Sequence, residues 1–155
     1  PHIKRLRIHS RLPVVIPSRI DEPFLSWITA TRLKPIIVLH INHSNEIDSS
    51  VQNMIQRLLS RGILILNQTV LLKGINDDAQ VLSELSETVY DAGVLPYYLH
   101  LLDPIEGASH FDISQQRAEH IFHQLQAELP GFLVPKLVRE IPGKKSKTLM
   151  GQVNN

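Results

Sequence analysis

The stretch EIDSSVQNMIQRLLSRGILILNQTVLL, residues 46–72, joins an amphipathic segment to an apolar one through a single glycine. Gly62 stands where a helix commonly ends, and the run that follows it is rich in β-branched and other apolar residues. The apolar residues before the glycine recur at helical spacing: Val51, Ile55, Leu58 and Leu59. The stretch therefore predicts a helix that is followed at once by a buried strand.

The same order repeats along the chain. Candidate strands cover residues 3–8, 35–42, 63–72, 94–102 and 132–140, and candidate helices cover 21–33, 46–62, 77–93 and 112–131. Strand–helix–strand order with nearly continuous apolar strands predicts a parallel sheet that is covered by helices.

Two parallel architectures are compatible with this order, a doubly wound sheet and a section of a β/α barrel. Polar residues collect where the predicted strands end, which is the active-site end of a β/α barrel, and no Gly-x-Gly-x-x-Gly follows the first strand. Five strands are too few to close an eight-stranded barrel. We therefore expect an α/β fold, an open partial TIM-type barrel with parallel strands and outer helices, over residues 1–140. A loop and tail follow at 141–155.

The composition fits one globular domain and restricts its chemistry. Of the 155 residues, 43% are apolar and 20% are charged, the formal net charge is +1, and cysteine is absent. Without cysteine, these residues supply no disulfide, no thiolate zinc site and no ligand to an iron–sulfur cluster. No run of 18 apolar residues and no signal peptide are recognisable, so we expect a cytoplasmic protein without a membrane partner.

The last predicted strand runs into a cationic loop, EIPGKKSKTLMG, at residues 140–151. A Walker phosphate loop would need a glycine where Val138 stands, so that interpretation fails. A solvated basic tail and a reactive lysine both remain open. Neighbouring cations disfavour the charged ammonium form of a lysine side chain. The neutral amine, which can act as a Schiff-base nucleophile, is therefore favoured among the three lysines of the loop. These are Lys144, Lys145 and Lys147.

The segment LHINHSNEID, residues 39–48, allows three interpretations. His40, His43 and Glu46 have a loose metal-ligand spacing. The same loop is also typical of a helix N-terminus capped by Ser44 or Asn45, and of a cofactor contact.

Two further polar positions are candidates for binding. Gln68 lies inside an apolar strand, so its buried amide requires either a backbone partner or a ligand. Asp103 ends the fourth predicted strand, where it either initiates a turn before Pro104 or binds an ammonium group of a substrate.

Five ordered motifs resemble the C-terminal half of the lysine 2,3-aminomutase family of radical S-adenosylmethionine enzymes. The likeness is greatest to the bacterial branch whose β-lysine is used to modify elongation factor P. The motifs are RLRIHSRLPVVIPSRI (5–20), HINHSNEI (40–47), LNQTVLLKGIND (66–77), PYYLHLLDPIEGASHF (96–111) and VPKLVREIPGKKSK (134–147).

The resemblance implies an isomerase that converts α-lysine to β-lysine with pyridoxal phosphate, S-adenosylmethionine and a four-iron four-sulfur cluster. It assigns Lys147 as the catalytic lysine that binds pyridoxal phosphate. It places His40, Asn42 and Gln68 at the S-adenosylmethionine site. Asp103 and Glu140 become the acids that bind the lysine substrate.

The chain departs from the family pattern in ways that limit what these residues do alone. The three-cysteine cluster motif and the upstream arginines for the cofactor phosphate are absent. Lys144 and Lys145 stand where the family has two loop glycines. Asp78 stands where the family has a cysteine of a zinc site, so we expect no metal site. The resemblance implies an N-terminal half as partner, allows a homo-oligomer, and gives no reason to expect direct nucleic-acid binding. The alternatives are a non-catalytic module whose cationic terminus binds phosphate or nucleic acid, and a metal-dependent lyase.

Overall fold

The computed structural model describes residues 2–103 and 107–151. The turn predicted at Pro104 and the last four residues of the predicted tail, 152–155, lie outside the described residues.

Six strands form one sheet whose spatial order equals their order along the chain. Strands β1 to β5 are parallel, and the short β6 pairs antiparallel with β5. This sheet with its outer helices confirms the partial barrel that the sequence predicts. The strands are β1 (Arg5–Ser10), β2 (Lys34–His40), β3 (Leu64–Leu71), β4 (Leu95–Leu101), β5 (Lys136–Arg139) and β6 (Thr148–Leu149).

Five α-helices connect or flank these strands. They are α1 (Leu12–Val15), α2 (Glu22–Thr29), α3 (Ser49–Leu59), α4 (Ala79–Asp91) and α5 (Gln115–Glu128). Helix α3 contacts β3, and α4 contacts both β4 and α5. No helix within residues 2–103 and 107–151 has the length and apolar character needed to cross a membrane.

The hydrophobic core lies between the helices and one face of the sheet. Alternate residues of the strands point into it because successive side chains of a strand face opposite ways. The strands contribute Ile37, Leu39, Ile65, Leu71 and Leu99, and the helices contribute Met54, Ile55, Leu58, Leu85 and Leu125. The opposite face of the sheet carries the polar residues described below.

Glycines end α3 and α4 as the sequence predicts. Gly62 has a φ of +70° and Gly93 a φ of +94°. The Gly62 amide donates to the Leu59 carbonyl, and the amide of the next residue donates to the Leu58 carbonyl. This is the Schellman pattern, which turns the chain sharply into the next strand.

The fifth strand is shorter than predicted. Residues Gly131–Leu133 form a 3-10 turn, and the strand begins only at Lys136. Pro135 has no amide hydrogen for the ladder, so the apolar run before it does not extend the strand. Helix α1 and strand β6 are absent from the sequence-based prediction.

Candidate functional site

The face of the sheet turned away from the helices carries a row of polar side chains. His40 on β2 is the register partner of Gln68 on β3, and Gln68 is the partner of Tyr98 on β4. His100 follows two residues after Tyr98 and therefore points to the same face. In a β/α barrel this face is the interior, and active sites form at the carboxyl ends of the strands. His40 is the last residue of β2, and His100 is the last but one of β4.

Three buried atoms of this row have no hydrogen-bond partner among the described residues. They are Nε2 of His40, Oε1 of Gln68 and Nε2 of His100. A buried polar atom without a partner costs about 1–3 kcal/mol, and native proteins rarely leave one unsatisfied. Three such atoms on adjacent strands are candidates for bonding a ligand or water, and Gln68 also interacts with the side chain of His9.

The loop after β5 brings Lys147 to the edge of this row. Pro142 and Gly143 form the centre of a turn in which the Lys144 amide donates to the Ile141 carbonyl. Gly143 has a φ of +82°, which fits the position after proline in a type II turn. The chain then pairs with β5 as β6, so Lys147 lies immediately before a strand that fixes it.

The Lys147 ammonium has two partners on this face. Nζ donates a hydrogen bond to Oε1 of Glu140, with which it forms an ion pair. It also lies 5.6 Å from the centroid of the Tyr98 ring. The bond from Lys147 holds the pKa of the Glu140 carboxyl below its ordinary value. The lysine is thus positioned by a carboxylate on one side and an aromatic face on the other.

A cavity of about 360 Å³ opens at this lysine. It is lined by Arg7, His9, Tyr98, Glu140 and the loop residues Ile141 and Lys144 to Lys147. Four of these side chains are permanently basic and one is acidic, so the cavity attracts an anionic ligand.

The histidines beside the cavity are held neutral. Burial, followed by the charge of Lys147, lowers the pKa of His100 to about 4. Burial also lowers the pKa of His9 and of His40, with the Arg7 charge next in importance for His9 and His9 itself next for His40. At neutral pH each ring therefore offers one donor and one acceptor nitrogen.

The other predicted binding residues lie apart from the lysine cavity. Asn42 follows β2, and its Oδ1 accepts a hydrogen bond from the Val70 amide at 2.9 Å. This bond ties the loop after β2 to β3. Asp103 is exposed beyond the end of β4 and does not line the cavity.

The loop at 39–48 is stabilised by internal capping. His43 accepts from the Asn45 amide at 3.2 Å, and Glu46 accepts from the amides of Asn42 and His43. The cap is therefore His43, and the predicted caps Ser44 and Asn45 are wrong. Asp48 caps α3 in turn by accepting from the Val51 amide.

A metal site at this loop has no support in the part of the chain that the structure describes. Glu46 also bonds Arg11 at 2.7 Å, so both of its oxygens have protein partners. Within residues 2–103 and 107–151, no three histidine or acidic side chains are grouped to hold a metal ion. Asp78 accepts from the amides of Gln80 and Val81 and so serves as the N-cap of α4.

Sequence reasoning did not select four residues that line or adjoin the site: Arg7, His9, Tyr98 and His100. A signal existed for the last two, because they occupy alternate positions of an otherwise apolar strand and therefore share a face. Arg7 and His9 alternate in the same way along β1.

Curated relatives cover the whole chain. The L-lysine 2,3-aminomutase of Haemophilus influenzae is 53% identical over 152 residues, which are 98% of this chain and 45% of that protein. The Escherichia coli L-lysine 2,3-aminomutase is 51% identical over 96% of this chain and 43% of that protein. The Clostridium subterminale L-lysine 2,3-aminomutase is 34% identical over 96% and 35%. The chain thus spans less than half the length of these relatives. No family model matches it.

Solved structures share the fold at low sequence identity. A radical SAM methyltransferase from Sphaerobacter thermophilus matches with a TM-score of 0.51 and 18% identity, over 76% of this chain and 37% of that one. A domain of pyruvate-formate lyase-activating enzyme from Bacteroides vulgatus matches with a TM-score of 0.54 and 10% identity, over 86% and 80%. These likenesses support the partial barrel alone. Neither comparison supports a non-catalytic phosphate- or nucleic-acid-binding module.

Proposed function

As a segment, the chain belongs to the lysine 2,3-aminomutase family, and we propose that it supplies the substrate- and pyridoxal-binding side of an enzyme that converts α-lysine to β-lysine. The observation that carries the proposal is the position of Lys147. Its Nζ atom reaches the polar inner face of the sheet at a cavity whose lining has four cationic side chains and one acidic side chain. An anionic aldehyde cofactor is the kind of ligand that such a lysine binds.

The residues fit two of the three cofactors of the family. Lys147 offers an amine to pyridoxal phosphate, and the surrounding cations suit its phosphate group. The unpartnered atoms of His40 and Gln68 suit S-adenosylmethionine, which is rich in hydrogen-bonding groups. A four-iron four-sulfur cluster does not fit these residues, because the chain contains no cysteine. Ligands for a cluster would have to come from outside this segment.

When bound, pyridoxal phosphate conjugates with the migrating nitrogen and S-adenosylmethionine is the source of the hydrogen-abstracting radical, so the protein contributes mainly position and exclusion. The side chain of Lys147 places its own amine, the group that reacts with the cofactor, over the Tyr98 ring. Val38, two residues before His40, and Val138, the register partner of His100, are fully buried, so apolar side chains adjoin the polar row. The carboxylates of Glu140 and Asp103 then determine which carbon of the substrate lies at the centre of the site.

Glu140 has two successive partners in this scheme. In the free protein it bonds the Lys147 ammonium. Once a ligand binds the Lys147 amine, the Glu140 carboxylate is free to accept a hydrogen bond from the ammonium group of the lysine substrate. Asp103 serves as the second acid at the open end of the barrel, and charge-assisted bonds from both set the substrate register.

Further parts of the proposal concern partners. The upstream half of the protein would supply the cluster and the remaining strands, free lysine is the substrate, and the β-lysine product serves the modification of elongation factor P. Asn42 joins His40 and Gln68 at the S-adenosylmethionine site by holding the loop after β2 against β3.

The test measures conversion of α-lysine to β-lysine by the complete protein that contains this segment. Lys147→Ala is expected to lower the turnover by at least about 10³-fold, because no other amine replaces the anchored nucleophile. Lys144→Ala and Lys145→Ala each remove one cation of the cavity but keep the Lys147 amine, so only partial losses, below about fivefold, are expected. Equal, salt-sensitive losses for all three variants would instead favour a diffuse cationic surface.

A further inference from the structure

His100 is the most enclosed polar side chain of the inner face that lacks a partner. Only 5% of its surface is exposed, and its Nε2 atom has no hydrogen-bond partner among the described residues. Protein interiors satisfy nearly all such atoms. Either a ligand or a part of the protein outside this segment must therefore bond Nε2.

The position of His100 favours a ligand at Lys147. The His100 ring meets the edge of the Tyr98 ring at a centroid distance of 5.6 Å and an interplanar angle of 80°. The other neighbour of Tyr98 on this face is the Lys147 ammonium, also 5.6 Å from the ring centroid. The Tyr98 ring thus neighbours both the imidazole of His100, whose Nε2 has no partner among the described residues, and the Lys147 ammonium at the cavity.

Burial, followed by the charge of Lys147, lowers the pKa of His100 and keeps its ring neutral. The groups that face it are Lys147 and Glu140 from the loop after β5, His40 from β2 and His9 from β1. Burial and the lysine charge oppose protonation of the ring and outweigh the glutamate. A neutral imidazole with a hydrogen on Nε2 donates one bond to an oxygen atom.

We propose that His100 is a ligand-contacting residue of the Lys147 site, where its Nε2–H donates a hydrogen bond to an oxygen of bound pyridoxal phosphate. This inference rests on the proposed function of Lys147. It goes further by adding a residue next to the cavity, in contact with the Tyr98 ring that helps to line it. The periphery of pyridoxal phosphate is rich in acceptor oxygens, which suits a single buried donor.

The test titrates the complete protein with pyridoxal phosphate and follows the absorbance of the lysine-bound form. His100→Leu removes the donor at similar volume, and His100→Gln keeps a donor that does not titrate. We expect the Kd for pyridoxal phosphate to rise at least about tenfold in His100→Leu and less than about threefold in His100→Gln. His123→Leu, at an exposed position of α5, is the matched control with an unchanged Kd.

A second readout uses the unaltered protein, so it does not depend on whether a variant folds. With ¹⁵N-labelled histidine, the Nε2 resonance of His100 is expected to report a protonated nitrogen at pH 7 and to shift when pyridoxal phosphate is added. Borohydride reduction of the same sample is expected to label Lys147.

The outcomes separate the two claims. Labelling of Lys147 with an unmoved His100 resonance, or an unchanged Kd in a folded His100→Leu protein, overturns the role of His100 and leaves the proposed function standing. Absence of labelling at Lys147 in the unaltered protein overturns both.

Discussion

Individual side chains at the lysine cavity act as a connected group. Lys147 is held by Glu140 and Tyr98, and Tyr98 contacts His100. Because Glu140 and Lys147 share a hydrogen bond, a ligand that takes up the lysine amine necessarily changes the surroundings of the carboxylate. The site is therefore expected to respond to substitutions in two ways, through cofactor capture and through substrate binding.

Replacing Glu140 tests the second of these roles. In the complete protein, Glu140→Gln is expected to raise the KM for lysine roughly tenfold, because a neutral amide loses a charge-assisted bond to the substrate ammonium. Capture of pyridoxal phosphate by Lys147 should persist. Glu87→Gln, an exposed change on α4, serves as the control. An unchanged KM, or a complete loss of cofactor capture, would contradict the assigned role.

The neutral state of His100 has a consequence for stability. A histidine whose pKa is about 4 in the folded protein and about 6.5 when unfolded stabilises the fold above pH 6.5, and this contribution is lost as the pH falls towards 4. Between pH 7 and pH 5 the expected loss from His100 is about 2 kcal/mol.

Urea unfolding at pH 7 and pH 5 measures this loss. In His100→Gln, the decline in unfolding free energy between the two pH values should be smaller than in the unaltered protein by about 2 kcal/mol. His9 and His40, whose pKa values are also lowered, contribute in the same direction to both proteins. Parallel declines in the two proteins would show that His100 is not held neutral.

The sequence supports some of these residue assignments better than others. Lys147, Glu140, His40 and Gln68 are assigned, like Asn42 and Asp103, from ordered motifs that resemble those of the lysine 2,3-aminomutase family. The burial and missing partner of His100 depend on how neighbouring strands surround it, which no local pattern records. Whether any of the six predicted site residues, Asn42 and Asp103 included, contacts a ligand stays a prediction.

The ends of the helices and strands determine where these residues lie. Gly62 follows the end of α3 and Gly93 follows the end of α4, and each glycine turns the chain into the next strand. At the other end of the sheet, the Pro142–Gly143 turn and the short β6 bring Lys147 back to β5. The positions of the site residues thus depend on the turns that precede and follow the strands.

Glycine replacements test the two helix ends against each other. Gly62→Ala meets no atom within 4 Å, so it should cost only the strain of a left-handed alanine, about 1–2 kcal/mol. Gly93→Ala has similar strain, and its new methyl carbon would lie 2.4 Å from Leu59 Cδ1. We expect Gly93→Ala to be more destabilising by about 1 kcal/mol in chemical denaturation.

A double variant isolates the contact. In the Leu59→Ala background the extra cost of Gly93→Ala over Gly62→Ala should disappear, because the colliding methyl group is gone. Persistence of the difference would place its cause elsewhere in the α4 terminus.

For secondary-structure elements, the sequence predicts the long segments with a clear apolar periodicity and misses the short ones. Long periodic segments such as α3 and α4 are predicted because their apolar faces repeat over several turns. Strand β6 has only two residues, Thr148–Leu149, and it forms because tertiary pairing with β5 compensates for its weak local signal. The start of β5 was misplaced because Pro135 interrupts an apolar run that otherwise resembles a strand.

The molecule as a whole is an open parallel sheet with a helix-covered face and a polar face. The apolar pattern of the strands and their order along the chain predict this architecture, and the low-identity structural matches support it. The 155 residues contain no cysteine, so they supply no thiolate ligand to an iron–sulfur cluster. In the proposed enzyme this half contributes the lysine anchor and the polar row, and radical generation depends on the other half.

The most direct measurement identifies the lysine that captures the cofactor. The complete protein is incubated with pyridoxal phosphate, reduced with borohydride and digested, and the modified peptide is sequenced by mass spectrometry. The expected result is a single stoichiometric pyridoxyl group on Lys147, with Lys144 and Lys145 unmodified. Stoichiometric modification of either neighbouring lysine, or no modification within residues 140–151, would contradict the account.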